Sequence, residues 1–279
     1  MRNFGTEFTL NTHFKLGKVD WSSQFNIATN KNEITSLLGD DVPMSIGDNR
    51  ALQVGKELGV FYVFIKEGIY QYDGEVPQPQ YDAGIRAGDV KWRDVDGNGI
   101  INDNDRQVTG SPNPDFFGGF NNTFRFKNLQ LDIFLTYMYG NDVYAQWKPT
   151  GAGRVGYRFA ALQEHVDNRW TGPGTTNVYP RSVANDVNNN RNSDWWLEDG
   201  SFIRLRTLTL SYHLPLKETT KLFLKGVRLY CQAENLFLLT NYSGWDPEVN
   251  TNMDPRFVGI DLFNVPQPRM FSIGANLSF

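Results

Sequence analysis

The run from Arg269 to Phe279 constrains the fold more than any other. Phe271, Ile273, Ala275, Leu277 and Phe279 alternate there with Met270, Ser272, Gly274, Asn276 and Ser278. A period of two belongs to a β-strand, and an apolar face backed by a small or polar one is the unit of an outer-membrane β-barrel. A soluble half-buried strand has the same period, so a single strand decides little. The pattern has to be tested along the whole chain.

It recurs. Phe8, Leu10, Thr12, Phe14 and Leu16 alternate with Glu7, Thr9, Asn11, His13 and Lys15. Beyond Gly17-Lys18, Trp21, Ser23, Phe25 and Ile27 alternate with Ser22, Gln24, Asn26 and Ala28, which predicts a tight hairpin. Phe120, Phe124 and Phe126 lead through Lys127-Asn128 into Leu129, Leu131, Ile133, Leu135, Tyr137 and Tyr139, a second hairpin. Phe202 to His213 is strand-like, but its apolar phase shifts between Leu205 and Leu208, which predicts a bulge. Val227, Leu229, Cys231, Ala233 and Phe237 give a sixth strand and the terminus a seventh. Cys231, the single cysteine, takes a small apolar position in this alternation.

No stretch approaches the roughly 18 to 20 apolar residues of a membrane helix. That excludes helical spanning only, because barrel strands hide half their residues in a polar lumen. A net charge of −4 argues against nucleic acid as a partner. The connectors are very unequal. Tight or modest turns at Gly17-Lys18, Lys127-Asn128 and Pro215 to Gly226 alternate with long ones at 30–116, 140–201 and 238–269. Short turns on one side and long loops on the other is the asymmetry of bacterial barrels, periplasmic against extracellular. If both tight turns are periplasmic, 30–116 contains an even number of crossings. The apolar run Val60 to Ile65 is then either half of an extra pair or a strand of an extracellular subdomain, and the second reading is preferred. The stretch from Met1 to Glu7 has no basic, apolar or cleavage region of an export signal. Seven strands cannot close a barrel, and open edges are not tolerated in lipid. The expectation is therefore an all-β, antiparallel, up-and-down transmembrane barrel segment, 1–279, that belongs to a longer protein.

Several motifs carry a resemblance. Gly88-Asp89-Val90-Lys91-Trp92-Arg93-Asp94-Val95-Asp96-Gly97-Asn98-Gly99 runs on to Arg106 and is followed by Gly110-Ser111-Pro112-Asn113-Pro114. Phe202-Ile203-Arg204-Leu205-Arg206, Glu234-Asn235-Leu236-Phe237, Tyr242-Ser243-Gly244-Trp245-Asp246-Pro247-Glu248 and Pro266-Gln267-Pro268-Arg269 come after them. In this order they resemble the late region of SusC/RagA-type TonB-linked outer-membrane proteins of Bacteroidetes, over nearly all 279 residues. The resemblance implies the carboxy-terminal part of a TonB-dependent transporter barrel of about 22 strands with a plugged lumen. It implies an importer of oligosaccharides or peptides in the cell outer membrane. A SusD-like surface lipoprotein and, through the missing amino-terminal part, TonB are the partners it implies.

The sharpest chemical motif is 94–105. Asp94, Asp96 and Asn98 offer oxygens at positions 1, 3 and 5, Gly99 permits the bend at 6, Ile100 gives a backbone carbonyl at 7 and Asp105 closes at 12. Hard oxygen ligands at this spacing suit a structural Ca²⁺. Two departures stand out: position 12 is Asp rather than a bidentate Glu, and no amphipathic helix precedes the loop. The alternative is an Asx-rich turn with solvated carboxylates.

Trp147, Trp195, Trp196 and Trp245 lie in the long loops, as does Trp170, where flat rings could stack on sugars; girdle or loop-core packing is the competing role. His13, His165 and His213 are too dispersed for a metal cluster, and no Gly-x-Ser-x-Gly elbow is present, so an enzyme is not expected. The competing function class is a soluble Ca²⁺-stabilised β-sandwich that binds glycans. A sandwich buries its apolar faces, whereas a barrel shows them to lipid.

Overall fold

A computed structural model describes residues 1–38, 42–47, 49–151, 162–183, 188–215, 224–249 and 254–279. Seven long strands form one sheet: β1 (Arg2–Leu16), β2 (Val19–Glu33), β3 (Phe116–Phe126), β4 (Leu129–Tyr139), β5 (Phe202–Leu214), β6 (Gly226–Thr240) and β7 (Met270–Ser278). Each pairs antiparallel with the next in chain order, so the sheet is an up-and-down meander. The two tight turns fall at Gly17-Lys18 and Lys127-Asn128. Gly17 takes a φ of 63° without steric cost, while Lys127 is held at 52° by the closed register on either side. Most of the connector from Pro215 to Gly226 lies outside the described residues.

Directly opposed residues share a face, so the register sorts the whole sheet. One row reads Phe14, Trp21, Phe124, Leu131, Leu210, Cys231 and Ile273 across all seven strands. The row one residue away reads His13, Ser22, Thr123, Asp132, Thr209, Gln232 and Ser272. One face is therefore apolar from edge to edge and the other polar. On the polar face Thr123 Oγ1 donates to Asp132 at 2.7 Å and Thr209 Oγ1 to Gln232 at 3.3 Å. The apolar face is not covered: Phe8, Leu10, Phe14, Leu210, Phe271 and Ile273 are all exposed. A soluble sandwich needs a second sheet on that face, and the described residues supply none. This removes the sandwich expectation and leaves the barrel wall.

The phase shift in β5 is a bulge. Across β4, Phe134 pairs with Thr207 and Leu135 with Leu205, so Arg206 stands unopposed there, while across β6 it falls opposite both Asn235 and Leu236, between the Leu205–Phe237 and Thr207–Glu234 pairs. Asn235, opposite the bulge, takes a left-handed φ of 52° and donates through Nδ2 to the Pro268 carbonyl at 3.0 Å.

The buried cores lie in the long connectors rather than in the sheet. Phe61, Val63, Tyr144 and Trp196 make one, Phe64, Ile69, Val90 and Trp92 a second, and Val143, Ala145, Tyr242 and Val249 a third. The first and third draw on more than one connector, so the loops fold together into a layer. Short ladders stitch it: Tyr62–Val63 with Gln107–Val108, Lys66–Ile69 with Val90–Trp92, and Asp142–Tyr144 with Leu197–Asp199. The run Val60 to Ile65 sits inside this layer and adds no strand to the large sheet, since β2 pairs directly with β3. Among the described residues, no helix is long and apolar enough to cross a membrane.

Candidate functional site

The loop layer is tied to the polar face of the sheet by charge. Arg204 of β5, 3% exposed, meets Asp246 at 2.5 Å and Glu248 at 2.6 Å. The bulged Arg206 also pairs with Glu248 and reaches Thr136 Oγ1 at 3.1 Å. Asp246 in addition accepts from the Gln267 amide at 3.1 Å. Four motifs that are far apart in the chain thus converge: the two arginines of β5, Asp246 and Glu248, the Gln267-Pro268 segment, and Asn235 on Pro268. A guanidinium presents a planar fork of donors, which suits two carboxylates held at one place. These residues were visible in the sequence as motifs. Their pairing was not, because nothing in the spacing says which arginine faces which acid.

The acidic loop closes on itself. Asp94 accepts from the Gly97 and Gly99 amides at 2.8 and 2.7 Å, Asn98 from Ile100 at 2.7 Å, and Asp105 from Val95 and Asn102 at 2.8 and 2.7 Å. Gly99 takes the bend with φ of 78°. Asp94, Asp96 and Asp105 each bring an oxygen within 4.8 Å of the others. Asp105 is buried and Asp96 exposed, so the loop has a fixed base and an open rim. Its donor set of carboxylate oxygens fits a hard cation.

The tryptophans separate into two groups. Trp196 is 1% exposed, its Nε1 bound to the Arg191 carbonyl at 3.1 Å. Trp195 stacks on it at 4.3 Å and carries the Lys66 ammonium over its ring at 3.3 Å. Neither offers a free face to a sugar, so both belong to the loop core. Trp170 likewise packs against the second core, its Nε1 on Gln71 at 3.2 Å. Trp245, by contrast, is 75% exposed and with Trp147 lines a cleft of about 210 Å³ together with Ser243, Gly244, Asp261, Phe263 and Asn264.

Sequence reasoning passed over one cationic group. Lys66 is pulled down to about 7 by burial, an effect that Asp194 only partly offsets. Its neighbour His165 is also lowered, by burial first and then by Arg169 and Lys66.

No family model matches the chain. Full-length matches among characterised proteins are consistent with one another. The TonB-dependent receptor P3 of Formosa agariphila is 31% identical over 100% of this chain, and the TonB-dependent receptor P26 of the same organism 30%. The TonB-dependent receptor SusC of Bacteroides thetaiotaomicron is 27% identical over 100% of the chain. The chain is homologous to SusC-type TonB-dependent receptors. It spans 29% of the length of the P3 receptor and 26% of that of SusC, so it aligns with only one portion of those receptors. The fold agrees. The structure of the RagAB peptide transporter superposes with a TM-score of 0.76 at 22% identity, over 99% of this chain and 29% of that one. The seven-stranded antiparallel sheet thus has the fold of part of the RagAB transporter.

Proposed function

We propose that the chain is the carboxy-terminal barrel part of an outer-membrane importer of glycans or other oligomeric nutrients. The observation that carries this is the pair of adjacent rows, one apolar through all seven strands and one polar. A wall of that kind separates lipid from a wet lumen. The rest of the protein supplies the strands that close the barrel, the plug and the contact with TonB, and a SusD-like lipoprotein covers the mouth. The connectors 30–116, 140–201 and 238–269 are its extracellular loops, on the side opposite the two tight turns. The open Trp147–Trp245 cleft, with its aromatic walls, supports a glycan among those nutrients. In the same reading, Asp94, Asp96, Asn98, Asp105 and the Ile100 carbonyl hold a structural Ca²⁺ that fixes the first loop.

The test is uptake of fluorescently labelled oligosaccharides and peptides by cells carrying or lacking the gene. Loss of oligosaccharide uptake in the deletion strain, restored by the intact gene, is the expected result. Unchanged uptake of every oligosaccharide, or loss confined to peptides, would overturn the glycan reading.

A further inference from the structure

The cleft beside Trp245 has a chemistry of its own. Asp261, at 4% exposure, is the one acidic side chain among its lining residues. Tyr242 donates its hydroxyl to Asp261 Oδ2 at 2.6 Å, and the Asn264 amide donates to Oδ1 at 3.0 Å. Trp147 Nε1 in turn donates to the Tyr242 oxygen at 3.2 Å. Every donor on this carboxylate is therefore neutral. Among the described residues no cationic side chain pairs with it. Lys148, next to Trp147, is committed to Glu198 at 2.7 Å, and Ser243 donates to the same glutamate at 2.9 Å.

A carboxylate with two oxygens has about four acceptor positions, so two neutral hydrogen bonds leave two open. A buried negative charge without a counter-ion is costly, and a bound cation relieves that cost. The aromatic faces around it attract the same kind of ligand, because a ring's π face is its negative side. Phe263 is held at a left-handed φ of 57°, a conformation a bulky residue keeps only where its surroundings impose it. The cleft, at about 210 Å³, is smaller than the roughly 300–1,000 Å³ of a drug-sized site and suits one ring.

We infer that the cleft is a subsite for one protonated amino-sugar unit of a glycan, its apolar ring face on Trp245 and its ammonium on Asp261. This rests on the glycan-import reading and narrows the substrate class to a cationic glycan. An amino sugar brings both features the cleft offers partners for, a flat apolar ring face and a positive charge beside it. A lysine side chain brings only the charge, at the end of a thin chain.

The test uses the intact outer-membrane protein in detergent and three probes: a glucosamine oligomer, its fully N-acetylated counterpart of equal length, and an oligolysine. Titration by calorimetry is expected to show the glucosamine oligomer binding about tenfold more tightly than the acetylated one. Asp261→Asn should erase that preference. Trp245→Ala, at an exposed position that leaves the core intact, should weaken both sugars by about tenfold. Equal binding of the two sugars, unaffected by Asp261→Asn, would overturn the amino-sugar inference and leave glycan import standing. Binding of oligolysine with neither sugar bound would overturn both readings. Failure of all three probes to bind would overturn the subsite alone, since uptake tests the import reading separately.

Discussion

Arg204 in β5 and Asp246 in the third long loop face each other at 2.5 Å, both almost wholly buried, on the polar side of the sheet. Asp246 and Glu248 come to the arginines from a stretch some forty residues downstream, and they arrive at the bulge that re-aims Arg206. A β-bulge bends its strand and turns a side chain out of the regular ladder. Here it lets two arginines of one strand hold two acids of one loop.

Removing one partner should therefore be expensive. Arg204→Ala leaves Asp246 buried with only backbone donors on it, for an expected loss of about 3–5 kcal/mol. The check is urea unfolding in micelles, with a double-mutant cycle against Asp246→Ala. Additive losses would show that the two residues do not act as a pair.

Metal removal should weaken the first loop. With free Ca²⁺ about a hundredfold above its dissociation constant, binding would stabilise the folded state by about 2.7 kcal/mol, and a chelator should withdraw that amount. Asp96→Ala should abolish the difference with little effect on the metal-free protein, because Asp96 is exposed. Asp105→Ala should lower stability with or without metal, since Asp105 also caps the Val95 and Asn102 amides. Thermal melts with and without chelator read both, and identical curves for the unaltered protein would remove the cation from this loop.

Stability of the loop layer should rise with pH above neutrality. Lys66 titrates at about 7 in the folded protein against 10.5 ordinarily, so between about pH 7 and pH 10 the unfolded chain binds more protons than the folded one. Stability then increases across that window and is flat in this respect below it, where both states are protonated. Tyr179, raised by burial and by its bond to Glu164, reverses the slope above about pH 10, where the unfolded tyrosine ionises first. Lys66→Met should flatten the rise between pH 7 and pH 10. An unchanged slope in the thermal midpoint of that variant would show that Lys66 does not cause it.

The two faces should differ in what they tolerate. Leu210→Arg puts a charge on the apolar face at an expected cost of about 2–4 kcal/mol if its row lies near the bilayer midplane. Gln24→Arg, exposed on the polar face, should cost little. Folding yield into lipid vesicles separates them, and equal tolerance at both positions would contradict the assignment of faces.

The sequence by itself determined the strands, their order and which side of each is apolar. A strand's side chains alternate with a fixed period of two, so Phe14, Trp21, Phe124, Leu131 and Leu210 declare a common face before any pairing is known. It also placed the bulge, because one extra residue at Arg206 breaks that period, and it gave the ligand spacing of the acidic loop, which is local. The tertiary structure alone decided the rest. Trp195 and Trp196 went into the core and Trp245 to the surface, a difference that depends on what packs over each ring. The joining of Arg204 to Asp246, the burial of Lys66 under Trp195, and the meeting of Asp261 with Trp147 and Trp245 all cross between segments distant in the chain. Loop segments have no repeating period to announce their contacts, so only the folded layer brings those residues together.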